Sequence, residues 1–154
     1  MAKEIERKYL VKGDAWRQLD AGKVYRQGYL SVTPERTVRV RTIGDAGFLT
    51  IKSKNIGATR MEFEYKIPVD DANEMLDKLC EKPLIEKIRR KIPFGGFTWE
   101  VDEFFGENAG LVIAEVELSD ETQQPELPGW IGKEVTDDPR YYNANLIKNP
   151  YSMW

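Results

Sequence analysis

Glu4-Ile5-Glu6-Arg7-Lys8-Tyr9-Leu10-Val11 sets charged residues against apolar ones at every second position, with Glu4, Glu6 and Lys8 on one side and Ile5, Tyr9 and Val11 on the other. Successive side chains of an extended strand point to opposite faces, so a period of two places these groups on two separate surfaces. The same period recurs along the chain and predicts eight strands, near 3–11, 24–32, 36–43, 47–54, 60–67, 84–92, 97–105 and 110–118. Thr33-Pro34-Glu35, Gly44-Asp45-Ala46-Gly47 and Pro93-Phe94-Gly95-Gly96 are short connections rich in turn residues, which predicts antiparallel hairpins.

One helix interrupts the strands. Over 70–81 the apolar positions Ala72, Met75, Leu76, Leu79 and Cys80 fall three and four apart, with Asp70 and Asp71 at the start, where the helix dipole favours acids. Shorter helices are expected at 15–19, 130–135 and 141–147, and a loop around Pro125 and Pro128. No repeat, low-complexity stretch or linker divides the chain, so 1–154 is expected to be one domain of mainly β (α+β) class.

The charged faces differ from an ordinary wet surface. Arg39 and Arg41 oppose Val38 and Val40; Thr50, Lys52 and Lys54 oppose Leu49 and Ile51; Arg60, Glu62, Glu64 and Lys66 oppose Met61, Phe63 and Tyr65. Lys87, Arg89 and Lys91 oppose Ile88 and Ile92, Glu100 and Asp102 oppose Trp99 and Val101, and Glu115 and Glu117 oppose Val112, Ala114 and Val116. Like charges thus sit two apart on one face, about 7 Å from each other by strand geometry. They repel, and are retained most readily where an ion of opposite sign compensates them. One reading is a conventional barrel or sandwich with solvated charges. The other is an inside-out barrel whose lumen is lined by charge, with room for one small ligand. That ligand would be a polyanion gripped by Arg and Lys, with the carboxylates holding hard divalent cations, Mg²⁺ or Mn²⁺. Periodicity alone leaves both readings open.

Composition narrows the chemistry. There is no histidine, so Ser-His-Asp triads, Cys-His pairs and histidine-ligated zinc are excluded. A single cysteine, Cys80, excludes an intrachain disulfide and favours a cytoplasmic setting; it reads as a small buried apolar group. The net charge of −3, from 23 basic and 26 acidic residues, gives no general attraction to nucleic acid or to an anionic membrane. The first residues lack the apolar run of a signal peptide, and no stretch is apolar enough to span a membrane. The tryptophans Trp16, Trp99, Trp130 and Trp154 form no base-stacking pattern. The 87–91 basic run alternates with isoleucine as a strand does.

The order of these motifs resembles the CYTH superfamily, the triphosphate tunnel metalloenzymes, whose ExExK signature matches Glu4-Ile5-Glu6-Arg7-Lys8. The likeness continues through Gln27-Gly28-Tyr29-Leu30, Arg39-Val40-Arg41, Leu49-Thr50-Ile51-Lys52, Glu62-Phe63-Glu64, Lys87-Ile88-Arg89, Asp102, Glu115-Val116-Glu117 and Gly132-Lys133-Glu134-Val135-Thr136, then Tyr142 and Asn143. It implies an eight-stranded antiparallel tunnel with a charged lumen and a few outer helices. It also implies metal-dependent hydrolysis of a triphosphate, inorganic tripolyphosphate first. The resemblance makes Glu4, Glu6, Glu62, Glu64, Asp102, Glu115 and Glu117 candidate ligands for one or two metal ions. Lys8, Arg39, Arg41, Lys52, Lys87 and Arg89 become candidate phosphate ligands. Lys8, Tyr29, Glu6 and Glu117 are the candidate catalytic set, although Tyr29 also reads as a plain strand aromatic. Lys54, Arg60, Lys66, Lys91 and Glu100 share the face as mouth or structural residues. The segment 140–154 is a candidate closure for one end. A class IV adenylyl cyclase and a non-catalytic polyphosphate-binding module are the rival functions, and the assembly is expected to be a monomer or homodimer.

Overall fold

A computed structural model describes residues 3–154. Nine strands and two helices of more than one turn carry the fold. The strands are β1 (Lys3–Val11), β2 (Lys23–Thr33), β3 (Arg36–Ile43), β4 (Ala46–Ser53) and β5 (Thr59–Ile67), then β6 (Ile85–Phe94), β7 (Phe97–Phe104), β8 (Val112–Glu117) and β9 (Ile131–Glu134). The helices are α1 (Val69–Lys78) and α2 (Asn143–Lys148). The first eight strands run in the order β5-β4-β3-β2-β6-β7-β8-β1, and β1 pairs again with β5, so the sheet closes into a ring. Every pairing is antiparallel, as the short connections require. Closure rests on three residue pairs, Lys3 with Met61, Glu4 with Arg60 and Ile5 with Thr59.

The apolar face of each strand points outward over most of its length, and three separate covers bury parts of the apolar surface. Trp16, on a 3-10 turn at Ala15–Gln18, packs with Tyr9, Ile92, Trp99, Val101, Ala114, Val116 and Ile131. Its indole nitrogen donates to the Gly13 carbonyl at 2.9 Å, so the buried ring leaves no polar atom unpaired. Helix α1 lays Ala72 and Leu76 over Val40 and the outer side of β3 and β4. Gly47 permits that approach, since a Cβ there would stand 2.9 Å from the Ala72 methyl. The third cover, α2, lies across one end of the ring.

Two expectations for local structure are corrected. The stretch 130–135 contains a strand, β9, not a helix. It pairs with the last residues of β1, Tyr9 opposite Glu134 and Val11 opposite Ile131, on the edge that β5 leaves open. Gly132 lets the two backbones meet, because a Cβ there would lie 3.2 Å from the Leu10 carbonyl oxygen. The helix expected over 70–81 ends earlier, at Lys78, and Leu79 is 67% exposed rather than core. On the outer side of β4 and β5, Ile51, Met61, Phe63 and Tyr65 are exposed. Among the described residues no helix is long and apolar enough to cross a membrane.

Candidate active site

The ring order sorts the charges in a way that chain order conceals. Strands β7, β8, β1 and β5 are neighbours and carry Glu100, Glu115, Glu117, Glu4, Glu6, Glu62 and Glu64. Strands β4, β3, β2 and β6 form the other half and carry Lys52, Arg39, Arg41, Lys87 and Arg89. An acidic half-ring therefore faces a basic half-ring across a cavity of about 570 Å³. Among the described residues that line the cavity, only Lys8 on β1 and Arg60 on β5 place a cation within the acidic half. Tyr29 on β2 adds a buried phenol to the wall.

Ion pairs bridge the halves where they adjoin. Lys52 Nζ lies 3.1 Å from Glu4 and 3.2 Å from Glu62, Arg41 lies 3.1 Å from Glu64, and Arg89 lies 3.2 Å from Glu115. Lys8 Nζ stands between Glu115 at 3.1 Å and Glu6 at 3.3 Å. Thr50, with no exposed surface, donates to Glu64 at 2.9 Å and accepts from Arg39 at 3.2 Å. In so enclosed a site each ion pair is stronger than it would be in water, and each unpaired charge costs more.

The protonation equilibria reflect this. Burial pushes the Glu6 carboxyl up, Glu115 adds to the effect, and Lys8 only partly offsets it, leaving Glu6 at about 7. Burial also acts to raise Glu4, but Lys52 and Arg60 outweigh it and hold that carboxyl at about 2. Burial lowers Lys87 to about 7 against the pull of Asp102. On Lys8 the same penalty is overcome by Glu115 and Glu6, which raise the ammonium above its ordinary value. Burial raises Tyr29 despite Arg39 and Arg60, so the phenol keeps its proton at neutral pH. Glu117, which has no hydrogen bond or ion pair among the described residues, is raised by burial and by Glu4 and Glu100.

All but one of the residues singled out for metal, phosphate or catalysis line this cavity. The exception is Asp102, which has no exposed surface and stands behind the wall. Its oxygens are taken by Lys87 Nζ at 2.8 Å and by Arg89 Nε and Nη2, both at 2.8 Å. That is the place of a counter-ion for two cations of the cavity wall. Of the residues expected at the mouth, Lys54, Arg60 and Glu100 line the cavity, whereas Lys66 and Lys91 lie outside it. Arg60 reaches further in than its strand position suggests, donating to Glu4 at 3.0 Å. Alternation alone could not separate it from Lys66, because both share one face and differ only in their place along β5 relative to the cavity. Gln27, Tyr142 and Asn143 belong to the site as well. Gln27 is fully buried behind the wall, and Tyr142 and Asn143 stand on it.

The donor set fits hard divalent cations. Glu4, Glu6, Glu62, Glu64, Glu115 and Glu117 offer oxygen only, which suits Mg²⁺ or Mn²⁺ and disfavours softer metals. Among the described residues no three carboxylates already converge on one point. Glu6 and Glu117, directly opposite in the β1–β8 pairing, have their affinity for protons raised, as does Glu62, which is expected of groups that lack enough positive charge.

Comparison with known proteins agrees with this geometry. The chain matches the CYTH domain over residues 2–148. It is 59% identical over 151 residues to the inorganic triphosphatase of Acetivibrio thermocellus, covering 98% of this chain and 97% of that protein. The inorganic triphosphatase of Nitrosomonas europaea is 40% identical over 148 residues, covering 93% and 95% of the two chains. A crystal structure of an inorganic triphosphatase superposes with a TM-score of 0.68 at 36% identity, over 96% of this chain and 95% of that one.

Proposed function

The chain belongs to the CYTH domain family, and from that premise we propose that it is a divalent-metal-dependent triphosphatase acting on inorganic tripolyphosphate. The observation that carries this reading is the division of one cavity into an acidic and a basic half. An anion receptor needs only the basic half, so the carboxylates argue for metal-assisted turnover rather than simple binding.

Lys8, Arg39, Arg41, Lys52, Lys87 and Arg89 hold the phosphate oxygens. The Arg forks grip them in two-point contacts while Lys adds compact charge. Asp102 fixes Lys87 and Arg89 in that role through its three short contacts. Glu4, Glu6, Glu62, Glu64, Glu115 and Glu117 would hold one or two Mg²⁺ or Mn²⁺ ions. Bound there, such ions neutralise charge on the phosphate chain and make water a better nucleophile.

The reaction forms a bond from water oxygen to a terminal phosphorus and breaks the bridging P–O bond, whose electron pair leaves with diphosphate. The basic half-ring stabilises the equatorial oxygens of the transferring group and the diphosphate. The proton released by water passes to the acidic half, where Glu117 has no ion pair among the described residues. Tyr29, protonated and beside Lys8 in the wall, orients the reacting end by hydrogen bonding. The setting is cytoplasmic and the working unit a monomer or homodimer.

A screen of phosphate release from tripolyphosphate, ATP, GTP, thiamine triphosphate and pyrophosphate, with and without Mg²⁺ or Mn²⁺, tests the proposal. Metal-dependent release that is fastest from tripolyphosphate is expected. Cyclic AMP from ATP would make the chain a cyclase, and tight tripolyphosphate binding without turnover would make it a binding module.

A further inference from the structure

The inward faces of four strands change character at one end of the ring. Leu10 follows Lys8 on β1, Ile113 precedes Glu115 on β8, Phe104 follows Asp102 on β7, and Ile85 precedes Lys87 on β6. Helix α2 seats Leu146 and Ile147 on these apolar ends, beside Tyr29, Val135 and Tyr141. The helix thus roofs this side of the lumen, and its first residue, Asn143, becomes part of the cavity wall.

The Asn143 side chain is held by two donors. Its Oδ1 accepts from Gln27 Nε2 at 3.1 Å and from Lys87 Nζ at 3.3 Å. In its ammonium form Lys87 can only donate, so it fixes which end of the Asn143 amide is the oxygen. Turning both amides over would satisfy Gln27 Oε1, which is buried and has no partner among the described residues, but would set Nδ2 against the Lys87 ammonium. The oxygen end of Asn143 is therefore committed to the wall. Its Nδ2 has no acceptor among the described residues, on a side chain that lines the cavity beside a phosphate-facing lysine.

We infer that Asn143 is a substrate-binding residue, donating its Nδ2 hydrogens to a phosphate oxygen while its Oδ1 holds Lys87 in place. The inference rests on the triphosphatase reading of the cavity and adds to it a ligand from outside the strands. A neutral amide is suited to this position, since it supplies a donor without adding another cation next to Lys87 and Arg89.

Steady-state kinetics of Asn143→Ala and Asn143→Asp on tripolyphosphate, with thermal unfolding alongside, test it. Asn143→Asp keeps an oxygen for Gln27 and Lys87 but removes the donor and adds negative charge. A merely structural asparagine would tolerate it. The expected result is a KM raised roughly tenfold in Asn143→Ala, the effect of one lost hydrogen bond to a charged group, with kcat within about threefold. KM should rise further in Asn143→Asp while the unfolding temperature is retained. A KM for Asn143→Asp equal to that of the unaltered protein overturns the inference, even if Asn143→Ala fails to fold. Absence of tripolyphosphate turnover in the unaltered protein would instead overturn the triphosphatase reading itself.

Discussion

Glu6 and Glu117 stand directly opposite one another where β1 pairs with β8. Like charges in cross-strand register are unfavourable, and both carboxyls are raised above their ordinary range. Glu6, at about 7, makes the consequence for stability specific. A carboxyl whose pKa is higher folded than unfolded contributes stability below its unfolded value of 4.5, and loses it as pH rises through the folded value. In chelator the protein should therefore lose stability between about pH 4.5 and 7, by at most about 3 kcal/mol from this group, whereas Lys87, lowered to about 7, acts in the opposite sense above that pH. Glu4, held at about 2, has the opposite sign and matters only as pH falls below 4.5. Thermal unfolding across pH should show the decline, Glu6→Gln should flatten it, and Mg²⁺ or Mn²⁺ at pH 8 should reverse it. A flat profile in chelator would contradict the assignment.

Glu117 is free of ion pairs among the described residues, so its neutral isostere should fold normally. Glu117→Gln is expected to keep the unfolding temperature and lower kcat on tripolyphosphate at least about 100-fold, the scale seen when a proton acceptor is removed. A rate within about threefold of the unaltered protein would remove Glu117 from the catalytic set.

Asp102 neutralises two buried cations and should behave as a structural group first. Asp102→Ala leaves the buried Lys87 without its ion-pair partner and Arg89 with only Glu100 and Glu115, a loss of roughly 3–5 kcal/mol for a broken buried pair. Denaturant unfolding of this variant measures it. If stability is unchanged, the Lys87–Asp102–Arg89 contacts do not persist in solution.

Leu146 has no exposed surface and anchors α2 to the apolar end of the ring. Leu146→Ala should cost about 2–5 kcal/mol and should also raise KM, because the helix carrying Asn143 would loosen. An unaltered KM alongside reduced stability would show that the roof and the site are independent.

The eight ring strands and the two faces of each could be read from period two, because alternation is a local property that no tertiary contact alters, whereas which face turns inward followed only from the resemblance. The division into half-rings could not. It depends on β6 joining β2 and on β1 joining both β8 and β5, pairings between segments remote in sequence. β9 escaped because four residues around Gly132 carry too little pattern, and the edge that recruits them belongs to β1. The outward turn of Leu79 reflects where α1 ends, and helix ends are weakly encoded. Asp102 shares a face with Glu100, yet only the depth of β7 in the ring separates a buried counter-ion from a wall ligand. Asn143 was legible as part of a motif, whereas its contacts with Gln27 and Lys87 required α2 to be set on the ring.

The joint between β1 and β5 is a seam that repels itself. It is three residue pairs long, against eight for β3 with β4, and it brings acidic strands together. Lys52 acts as its rivet, reaching Glu4 on one side and Glu62 on the other, with Arg60 as a second fastening on Glu4. Such a closure is the first place for the ring to breathe, and amide protons of 59–61 should exchange ahead of those in β3 and β4. Lys52, proposed as a phosphate ligand, is thus also a stitch that keeps the tunnel shut.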